Sequence, residues 1–489
     1  MIEESRFTRR WVLAGLLSGI ALPGCAEAPK RSIRPAANPG SADLLTARSA
    51  RLVEAAGLKG EIAFVVADAK TGKILEARHG ETALPPASVA KAMTALYGLN
   101  KLGAGYRFST TALATGTVAN GQLHGDLVLI GSGDPTLDTD RLGQLAAALA
   151  KHGIKGITGR FLVCATGIPR IPEIDRSQPT YVGYNPTISG LNLNFNRVHF
   201  EWKRSAQGYR LTMDARGKNF LPKVSMAEIR AVDRKTPIFD YRQGKGRDQW
   251  TVAAGALGKG GSRWLPVRQP ELYCAEVFAT LMRSHGLRLP TAEIVTSPPT
   301  GTVLARTQSE PLSTISRSML RYSTNITAEA VGLAASGARS LKDSGRRMSD
   351  WAEASYGANA RFVDHSGLGG DSRIAPMDMV RALRLGQASG LPALLRPQSM
   401  RDSAGNVLKN HPAKVVAKTG TLNFVSGLAG YIQPPSGKNL VFAIFCADIS
   451  RRNGLSRAER ERPQGGRAWT SRARRLQGQL LTLWAERFA

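Results

Sequence analysis

Cysteine is scarce in this sequence, with four in 489 residues. Apart from Cys25 near the N-terminus, the cysteines Cys164, Cys274 and Cys446 all lie in apolar stretches and are odd in number. This pattern predicts buried free thiols rather than a disulfide framework.

Acidic residues are few, since 37 Asp and Glu accompany 66 Lys and Arg, for a formal net charge of +29. The length and a hydrophobic content of 42% indicate a soluble globular protein of two or three domains. The excess positive charge favours an anionic neighbour such as nucleic acid, acidic lipid or an acidic polymer. Its densest stretch, Arg451 to Arg475, predicts a basic surface or a mobile loop.

Long apolar runs are missing. The stretch from Trp11 to about Leu22 is too short for a stable membrane span, and after Arg9 and Arg10 it is typical of a secretory signal. TRRWVL is similar to a twin-arginine export signal. LPGC is similar to a lipoprotein cleavage box whose Cys25 would carry lipid and anchor the protein to a membrane, a point that the sequence leaves open. We therefore expect a periplasmic protein whose anionic partner is cell wall or lipid, and no nucleic acid.

Two common hydrolase signatures are absent. The chain has no G-x-S-x-G elbow and none of its seven His residues has an obvious Ser partner, which disfavours a His-based triad. It has no H-E-x-x-H motif, which disfavours a zinc peptidase. We expect neither a metal nor a cofactor.

The predicted secondary structure changes along the chain. Residues 1–24 are assigned to the signal peptide and the Pro-rich residues 25–45 to a linker. Residues 46–106 and 306–489 contain helical patterns, whereas 107–305 contain many short β-like runs with Gly turns. The predicted organisation is an α/β domain in two segments that carries a β-rich insertion between them.

The tetrapeptide AKTG occurs twice. The first copy, Ala69 to Gly72, separates two strand-like runs and predicts a hairpin turn. The second, Ala417 to Gly420, lies among apolar and β-branched residues and predicts a strand. We expect Gly420 to leave room for a ligand backbone to approach an edge strand.

Two serine motifs precede that second copy. Ser88 and Lys91 form an S-x-x-K motif, whose residues share one face of a helix, so the amine can reach the hydroxyl and activate it. Ser323 and Asn325 form an S-x-N motif. Taken singly, the first could be an exposed helix pair and the second a turn or cap. Their order, followed by Lys-Thr-Gly, is the set found in β-lactamases and penicillin-binding proteins.

Four further stretches extend the similarity: GDLVLIGSGDPTL (125–137), LNLNFNRV (191–198), MLRYSTNITAE (319–329) and VDHSGLGGDSRIAP (363–376). With them the chain resembles the D-alanyl-D-alanine carboxypeptidase/endopeptidase family, the low-molecular-mass class C penicillin-binding proteins (peptidase family S13). The resemblance implies a transpeptidase-like domain of the serine β-lactamase and penicillin-binding-protein type, an antiparallel sheet with helices on both faces.

The resemblance also implies catalytic roles. Ser88 would be the acylated nucleophile, Lys91 would take its proton, and Ser323 would relay a proton to the leaving amine. The backbone N–H groups of Ser88 and Thr421 would form the oxyanion hole.

Other residues would bind the substrate. Asn325 would orient the substrate amide, Lys418 would supply positive charge, and Thr419 and Thr421, on either side of Gly420, would bind the terminal carboxylate. Asp134 would either border the substrate pocket or serve a structural turn.

The chain departs from the family pattern in one loop. His365 stands where the family usually has Gly, and Gly369-Gly370 where it usually has Ser-Arg, with Arg373 three residues later. In the family, the arginine of Ser-Arg would meet a diaminopimelate side chain, so the preference of this chain for that side chain is left open.

The expected activity is that of a serine D-Ala-D-Ala carboxypeptidase, a DD-endopeptidase, or both. Peptidoglycan stem peptides would be its substrates and β-lactam antibiotics its inhibitors, each through an acyl-enzyme. The alternatives are a β-lactamase-like hydrolase, which would need fast deacylation, and a catalytically silent protein that binds cell wall.

Overall fold

The computed structural model of the chain describes residues 46–488. The signal peptide (1–24) and linker (25–45) assigned from the sequence, including Cys25, lie outside the described residues. Within residues 46–488 no helix is both long and apolar enough to cross a membrane.

The described part of the chain contains eleven α-helices: α1 (Ala47–Ala55), α2 (Ala90–Leu102), α3 (Thr139–Ala150), α4 (Pro270–Ser284), α5 (Leu312–Tyr322), α6 (Asn325–Ser336), α7 (Leu341–Tyr356), α8 (Pro376–Gly386), α9 (Leu391–Leu394), α10 (Ile449–Asn453) and α11 (Gly466–Phe488). Short 3₁₀ helices lie at Ala87–Val89, Leu193–Asn196, Ala254–Ala256, Gln387–Ser389 and Glu459–Glu461.

The same residues contain 24 strands: β1 (Glu61–Asp68), β2 (Ile74–Arg78), β3 (Ser109–Ala114), β4 (Thr117–Ala119), β5 (Gln122–His124), β6 (Leu127–Gly131), β7 (Gly156–Ile157), β8 (Phe161–Cys164), β9 (Arg197–Ser205), β10 (Gly208–Asp214), β11 (Ala227–Val232), β12 (Phe239–Gly244), β13 (Arg247–Ala253), β14 (Gly260–Pro266), β15 (Ala292–Val295), β16 (Thr302–Gln308), β17 (Ala360–Arg361), β18 (Arg373–Ile374), β19 (Arg396–Pro397), β20 (Met400–Arg401), β21 (Val407–Leu408), β22 (Lys414–Leu422), β23 (Val425–Gln433) and β24 (Leu440–Ala447).

A six-stranded antiparallel sheet forms the centre of the first domain, in the order β19-β22-β23-β24-β1-β2. It joins strands from both ends of the chain, since β1 pairs with β24 over their whole length. The two segments predicted to form one α/β domain therefore share a sheet.

Alternation along the strands buries both faces of this sheet. On β1, Val65 belongs to a core shared with α2, α5, α7 and α8, while its neighbour Phe64 belongs to a core shared with α11. Successive strand side chains point to opposite faces, so strands covered by helices on both sides are apolar throughout. The predicted fold class, an antiparallel sheet with helices on both faces, is confirmed.

The long middle region forms its own sheets. They are a five-stranded mixed sheet (β15-β8-β6-β3-β16), two three-stranded sheets (β10-β9-β14 and β11-β13-β12) and a small three-stranded sheet (β4-β5-β7). We propose that this insertion spans residues 107–305, with β16 running on to Gln308.

Helices α3 and α4 also lie within this middle region, where the sequence analysis predicted only strands and turns. Their signals are present in the sequence: Asp138 caps the start of α3, and Pro270 occupies the first turn of α4. Leu142, Leu145 and Leu149 have the spacing of one buried helical face. The abundance of glycine turns nearby concealed this pattern.

Two local predictions are confirmed. The first AKTG copy forms the turn between β1 and β2, where Asp68 Oδ1 accepts from the N–H groups of Lys70 and Thr71, and Gly72 has a φ of 79°. Cys164, Cys274 and Cys446 are buried and free.

Candidate active site

Ser88 lies on a tightly held turn at the start of α2. The preceding residue, Ala87, has a φ of 47°, which is unfavourable for a residue with a side chain. Two glycines pack against this turn: a Cβ on Gly420 would lie 2.5 Å from the Pro86 carbonyl oxygen, and one on Gly367 would lie 1.9 Å from the Ala87 carbonyl oxygen. The surrounding backbone therefore fixes the position of the Ser88 hydroxyl.

This packing gives Gly420 a role within the fold in addition to the one expected from the sequence. The backbone next to Gly420 is that of residues 86–88, here called the nucleophile turn after the expected role of Ser88. The absence of a side chain brings β22 against the turn, with the Ser88 nitrogen 3.1 Å from where a Cβ would be. Ser88 and the residue after Gly420, Thr421, are thereby neighbours in space.

Lys91 is fully buried one helical turn beyond Ser88. Its Nζ lies 2.9 Å from Ser88 Oγ, 2.8 Å from Asn325 Oδ1 and 2.8 Å from the Ser366 carbonyl oxygen. Three acceptors match the three donors of an ammonium group. The spacing predicted from the S-x-x-K motif is present, and the amine is aimed at the hydroxyl.

Ser323 lies at the junction of α5 and α6 in a left-handed conformation, with a φ of 58°. Its Oγ is 3.0 Å from Lys418 Nζ, which also donates to the Thr419 carbonyl oxygen at 2.8 Å. Lys418 is 2% exposed. The cleft thus contains a second pair of a hydroxyl and a buried amine.

Burial changes the protonation of both amines. It lowers the pKa of Lys91 to about 8, although the charges of Glu329 and Asp364 raise it. Burial lowers the pKa of Lys418 to about 6, and the charges of Lys91 and Arg396 lower it further. A neutral lysine amine can accept a proton, so burial prepares Lys91 as a base.

Asn325 connects the two parts of the chain. Its Oδ1 accepts from Lys91, and its Nδ2 donates to the Tyr184 carbonyl oxygen at 2.9 Å. Tyr184 comes from the middle region and its half-exposed ring lines the cleft. Nothing in the sequence around Tyr184 indicates a site, because only folding brings the middle region to Asn325.

The strand carrying Lys418 presents an open edge. The two-residue strand β19 pairs only with Val416 and Ala417, so from Lys418 to Leu422 the outer edge of β22 has no strand partner among the described residues. Such an edge can add an extended peptide through main-chain hydrogen bonds. Thr419 and Thr421 lie on this part of β22.

A cleft of about 1280 Å³ opens beside this edge, with Ser88, Ser323, Asn325 and Thr421 in its lining. Seven arginines also line it: Arg401, Arg452, Arg460, Arg462, Arg467, Arg474 and Arg475. The stretch Arg451 to Arg475, expected to be a basic surface or mobile loop, therefore forms a wall of the cleft. Arg474 Nη2 donates to Thr421 Oγ1 at 3.1 Å.

Asp134 is not brought to this group. It is 1% exposed, its carboxylate pairs with Arg141 at 2.6 Å, and it accepts from the Thr136 N–H at 2.8 Å. These contacts favour the structural turn of the two roles expected for Asp134, and Asp134 is not among the residues that line the cleft.

The loop that departs from the family pattern accommodates its substitutions. The His365 ring is buried and forms a hydrogen bond of 2.6 Å with Ser344 Oγ. It occupies the space that a side chain on Gly332 would fill. Arg373 donates to the carbonyl oxygens of Gly370 and Ser372, so it braces the loop.

These groups make nucleophilic acyl transfer possible: a fixed hydroxyl, an amine within reach, a second hydroxyl with its own amine, and an open strand edge. Among residues 46–488 no cluster of His, Cys, Asp and Glu suits a metal ion.

Known proteins are similar to this chain in fold and in sequence. A crystal structure of penicillin binding protein 4 (dacB) from Haemophilus influenzae superposes with a TM-score of 0.72 at 20% identity, covering 90% of this chain and 99% of that one. D-alanyl-D-alanine carboxypeptidase DacB of Haemophilus influenzae is 24% identical over 430 residues, 82% of this chain and 88% of its own length. The D-alanyl-D-alanine carboxypeptidase of an Actinomadura species is 26% identical over 450 residues, 83% of each chain.

The sequence profile of one peptidase family, described as the D-Ala-D-Ala carboxypeptidase 3 (S13) family, matches residues 46–463. That range includes Ser88, Lys91, Ser323, Asn325 and Lys418. The chain belongs to the S13 family of D-Ala-D-Ala carboxypeptidases.

Proposed function

We propose that this serine peptidase removes the terminal D-Ala of peptidoglycan stem peptides through an acyl-enzyme on Ser88, and that it cleaves D-Ala cross-links by the same path. The observation that carries the proposal is the 2.9 Å approach of Lys91 Nζ to Ser88 Oγ in the cleft that also holds Ser323 and Asn325. Membership of the S13 family of D-Ala-D-Ala carboxypeptidases also supports the proposal.

The first step is attack by Ser88. Its Oγ bonds to the carbonyl carbon of the penultimate D-Ala while its proton passes to the neutral amine of Lys91. The N–H groups of Ser88 and Thr421 stabilise the oxyanion that forms on the carbonyl oxygen, and one such donor typically contributes about 3 kcal/mol.

The second step is departure of the amine. The carbon–nitrogen bond breaks as Ser323 relays the proton from Lys91 to the leaving nitrogen, which returns Lys91 to its neutral form and releases a free amine. Lys418 holds the Ser323 hydroxyl at 3.0 Å. Water then hydrolyses the ester and frees Ser88. In a β-lactam the amine stays tethered to the acyl group, so the acyl-enzyme persists and the enzyme is inhibited.

The substrate is held along the edge of β22. Asn325 orients the amide of the scissile region, and Thr419 and Thr421 bind the terminal carboxylate with the positive charge of Lys418. The arginines of the cleft wall attract anionic peptides to this edge.

The N-terminal pattern in residues 1–24 supports delivery to the periplasm, where the substrate is found, and Cys25 would anchor the protein if it is lipidated. Fractionation of cells that express the wild-type chain or the Cys25→Ala variant tests the anchor. If Cys25 is lipidated, only the wild-type chain should be found in the membrane fraction.

The activity is tested with defined muropeptides whose products are identified by mass. We expect release of one D-Ala from an uncross-linked pentapeptide and separation of a cross-linked dimer into its two stems. The Ser88→Ala variant should do neither. Hydrolysis of penicillin with rapid turnover would instead favour the β-lactamase-like alternative, and penicillin binding without any peptide cleavage would favour the silent wall-binding protein.

A further inference from the structure

Lys91 lies in a buried site where its own contacts are neutral. Its Nζ meets a hydroxyl, an amide oxygen and a carbonyl oxygen, and none of these partners carries a charge. Burying a cation is costly unless an opposite charge lies nearby. The charges of two acidic residues, Glu329 and Asp364, act on this amine, and both residues are fully or almost fully buried.

Glu329 reaches Lys91 through the backbone of one residue. Its two carboxylate oxygens accept from the N–H groups of His365 and Ser366, each at 2.9 Å. The carbonyl oxygen of the same Ser366 accepts from Lys91 Nζ. A carboxylate that aligns this residue therefore also aligns the acceptor of the lysine amine.

Asp364 holds the next part of the same loop. Its two oxygens accept from the N–H groups of Gly367 and Gly369, at 2.7 and 2.6 Å. A Cβ on Gly367 would collide with the Ala87 carbonyl oxygen, so this loop packs directly against the nucleophile turn. Both oxygens are acceptors, the arrangement expected of an ionised carboxylate.

We propose that Glu329 and Asp364 are positioning residues whose negative charge stabilises the ammonium that Lys91 becomes when it takes the Ser88 proton. This inference rests on the proposed function, because it assigns a role in the acylation step. In that step the proton moves from Ser88 Oγ to Lys91 Nζ, leaving one new positive charge in a buried site, next to the loop that the two carboxylates hold.

The charged surroundings of Lys91 are consistent with this role. Glu329 on α6 and Asp364 on the loop raise its pKa, while burial lowers it to about 8. Burial raises the pKa of Glu329 and of Asp364, whereas the backbone N–H groups that donate to the two carboxylates lower it and favour the charged forms. The titration of these groups is therefore linked to that of Lys91.

Other titratable groups around the loop do not take over this role. Lys418 on β22 could only add a second positive charge, and the charge of Lys91 lowers the pKa of Lys418. Burial lowers the pKa of His365 to about 3, so its ring is neutral and faces Ser344 and Met348. Asp175 acts on Asp364 and raises its pKa.

The test is the rate of acylation by a fluorescent penicillin, measured against pH in wild type, Glu329→Gln and Asp364→Asn. Acylation needs neutral Lys91, so the wild-type rate rises with pH through the pKa of Lys91. Removing a nearby negative charge lowers that pKa. The acid limb is the part of the profile in which the rate rises with pH. We therefore expect the acid limb of each variant to move to lower pH by about one unit. The limiting rate at high pH should also fall.

The matched control is Ser344→Ala, which removes the hydrogen bond to the His365 ring without changing any charge. It loosens the same loop, so we expect lower thermal stability with the acid limb in its wild-type position. If Glu329→Gln fails to fold, Asp364→Asn alone decides the question. An acid limb that stays in place in the charge-removing variants, or that moves equally in Ser344→Ala, overturns the inference.

The two proposals fail in different ways. If wild type is not acylated at any pH, the proposed function is wrong. If wild type is acylated and only the displacement of the acid limb is missing, the proposed function stands and the role of Glu329 and Asp364 is rejected.

Discussion

Lys418 Nζ lies 3.0 Å from Ser323 Oγ, although 95 positions separate the two residues in the chain. Lys91 stands in the same relation to Ser88, with 2.9 Å between amine and hydroxyl. Two hydroxyls, each beside a buried amine, therefore face one cleft. The Ser88 hydroxyl suits attack on a carbonyl carbon, and the Ser323 hydroxyl suits return of the proton to the leaving amine.

Ser323→Ala tests the pair formed by Ser323 and Lys418. The substitution removes the hydroxyl that relays the proton, so acylation by penicillin should slow by about 100-fold. The rate constant of labelling measures this. Ser318→Ala, on the exposed face of α5, is the control and should leave the rate unchanged. A wild-type rate in the Ser323 variant would exclude it from the relay.

The pH dependence of substrate binding tests Lys418. Burial lowers its pKa to about 6 in the free enzyme, and a bound carboxylate raises it, because the opposite charge favours the ammonium. The bound state then holds the proton more tightly, so binding is favoured at low pH and weakens as pH rises above about 6. The KM of a peptide ending in a carboxylate should rise accordingly.

A peptide ending in an amide is the matched comparison for Lys418, because it offers no charge to the amine. Its KM should vary little over the same range. Parallel pH profiles for the two peptides would show that Lys418 does not bind the carboxylate.

Gly420→Ala tests the contact between β22 and the nucleophile turn. The new Cβ would lie 2.5 Å from the Pro86 carbonyl oxygen, so the strand or the turn must shift. Overpacking of this kind costs about 1–3 kcal/mol, and displacement of Ser88 should abolish most acylation. Thermal unfolding and penicillin labelling measure the two effects. Gly255→Ala has open space at its Cβ and should change neither.

Arg474→Gln tests the arginine wall. Arg474 donates to Thr421 Oγ1 beside the expected carboxylate site, so its loss should raise the KM of an acidic peptide about fivefold, or about 1 kcal/mol for an exposed charge. Arg472→Gln, exposed on the same helix and absent from the cleft lining, should have little effect. If both substitutions raise the KM equally, the arginines act through their total positive charge and not through the position of Arg474.

Most of the central site was predictable, because each motif carries its own local geometry. S-x-x-K places Ser88 and Lys91 on one helical face, and the β-branched surroundings of Lys418 indicate a strand. Their convergence could be expected from the order of the motifs. The fold class followed from the same resemblance.

The remaining contacts could not be predicted, because they depend on how distant segments pack. Tyr184 reaches Asn325 only after the middle region folds, and Glu329 reaches Lys91 only through the backbone of Ser366. The contact between Gly420 and the Pro86 carbonyl oxygen could not be predicted for the same reason. Helices α3 and α4 were missed because nearby glycine turns outweighed their caps.

The most direct test of the central claim is labelling with fluorescent penicillin, followed by peptide mapping of the adduct by mass. The account predicts one stable adduct on Ser88, which disappears in Ser88→Ala and persists in Lys70→Ala, because Lys70 belongs to the hairpin turn of the first AKTG copy. An adduct that survives in Ser88→Ala, or that depends on Lys70, would contradict it.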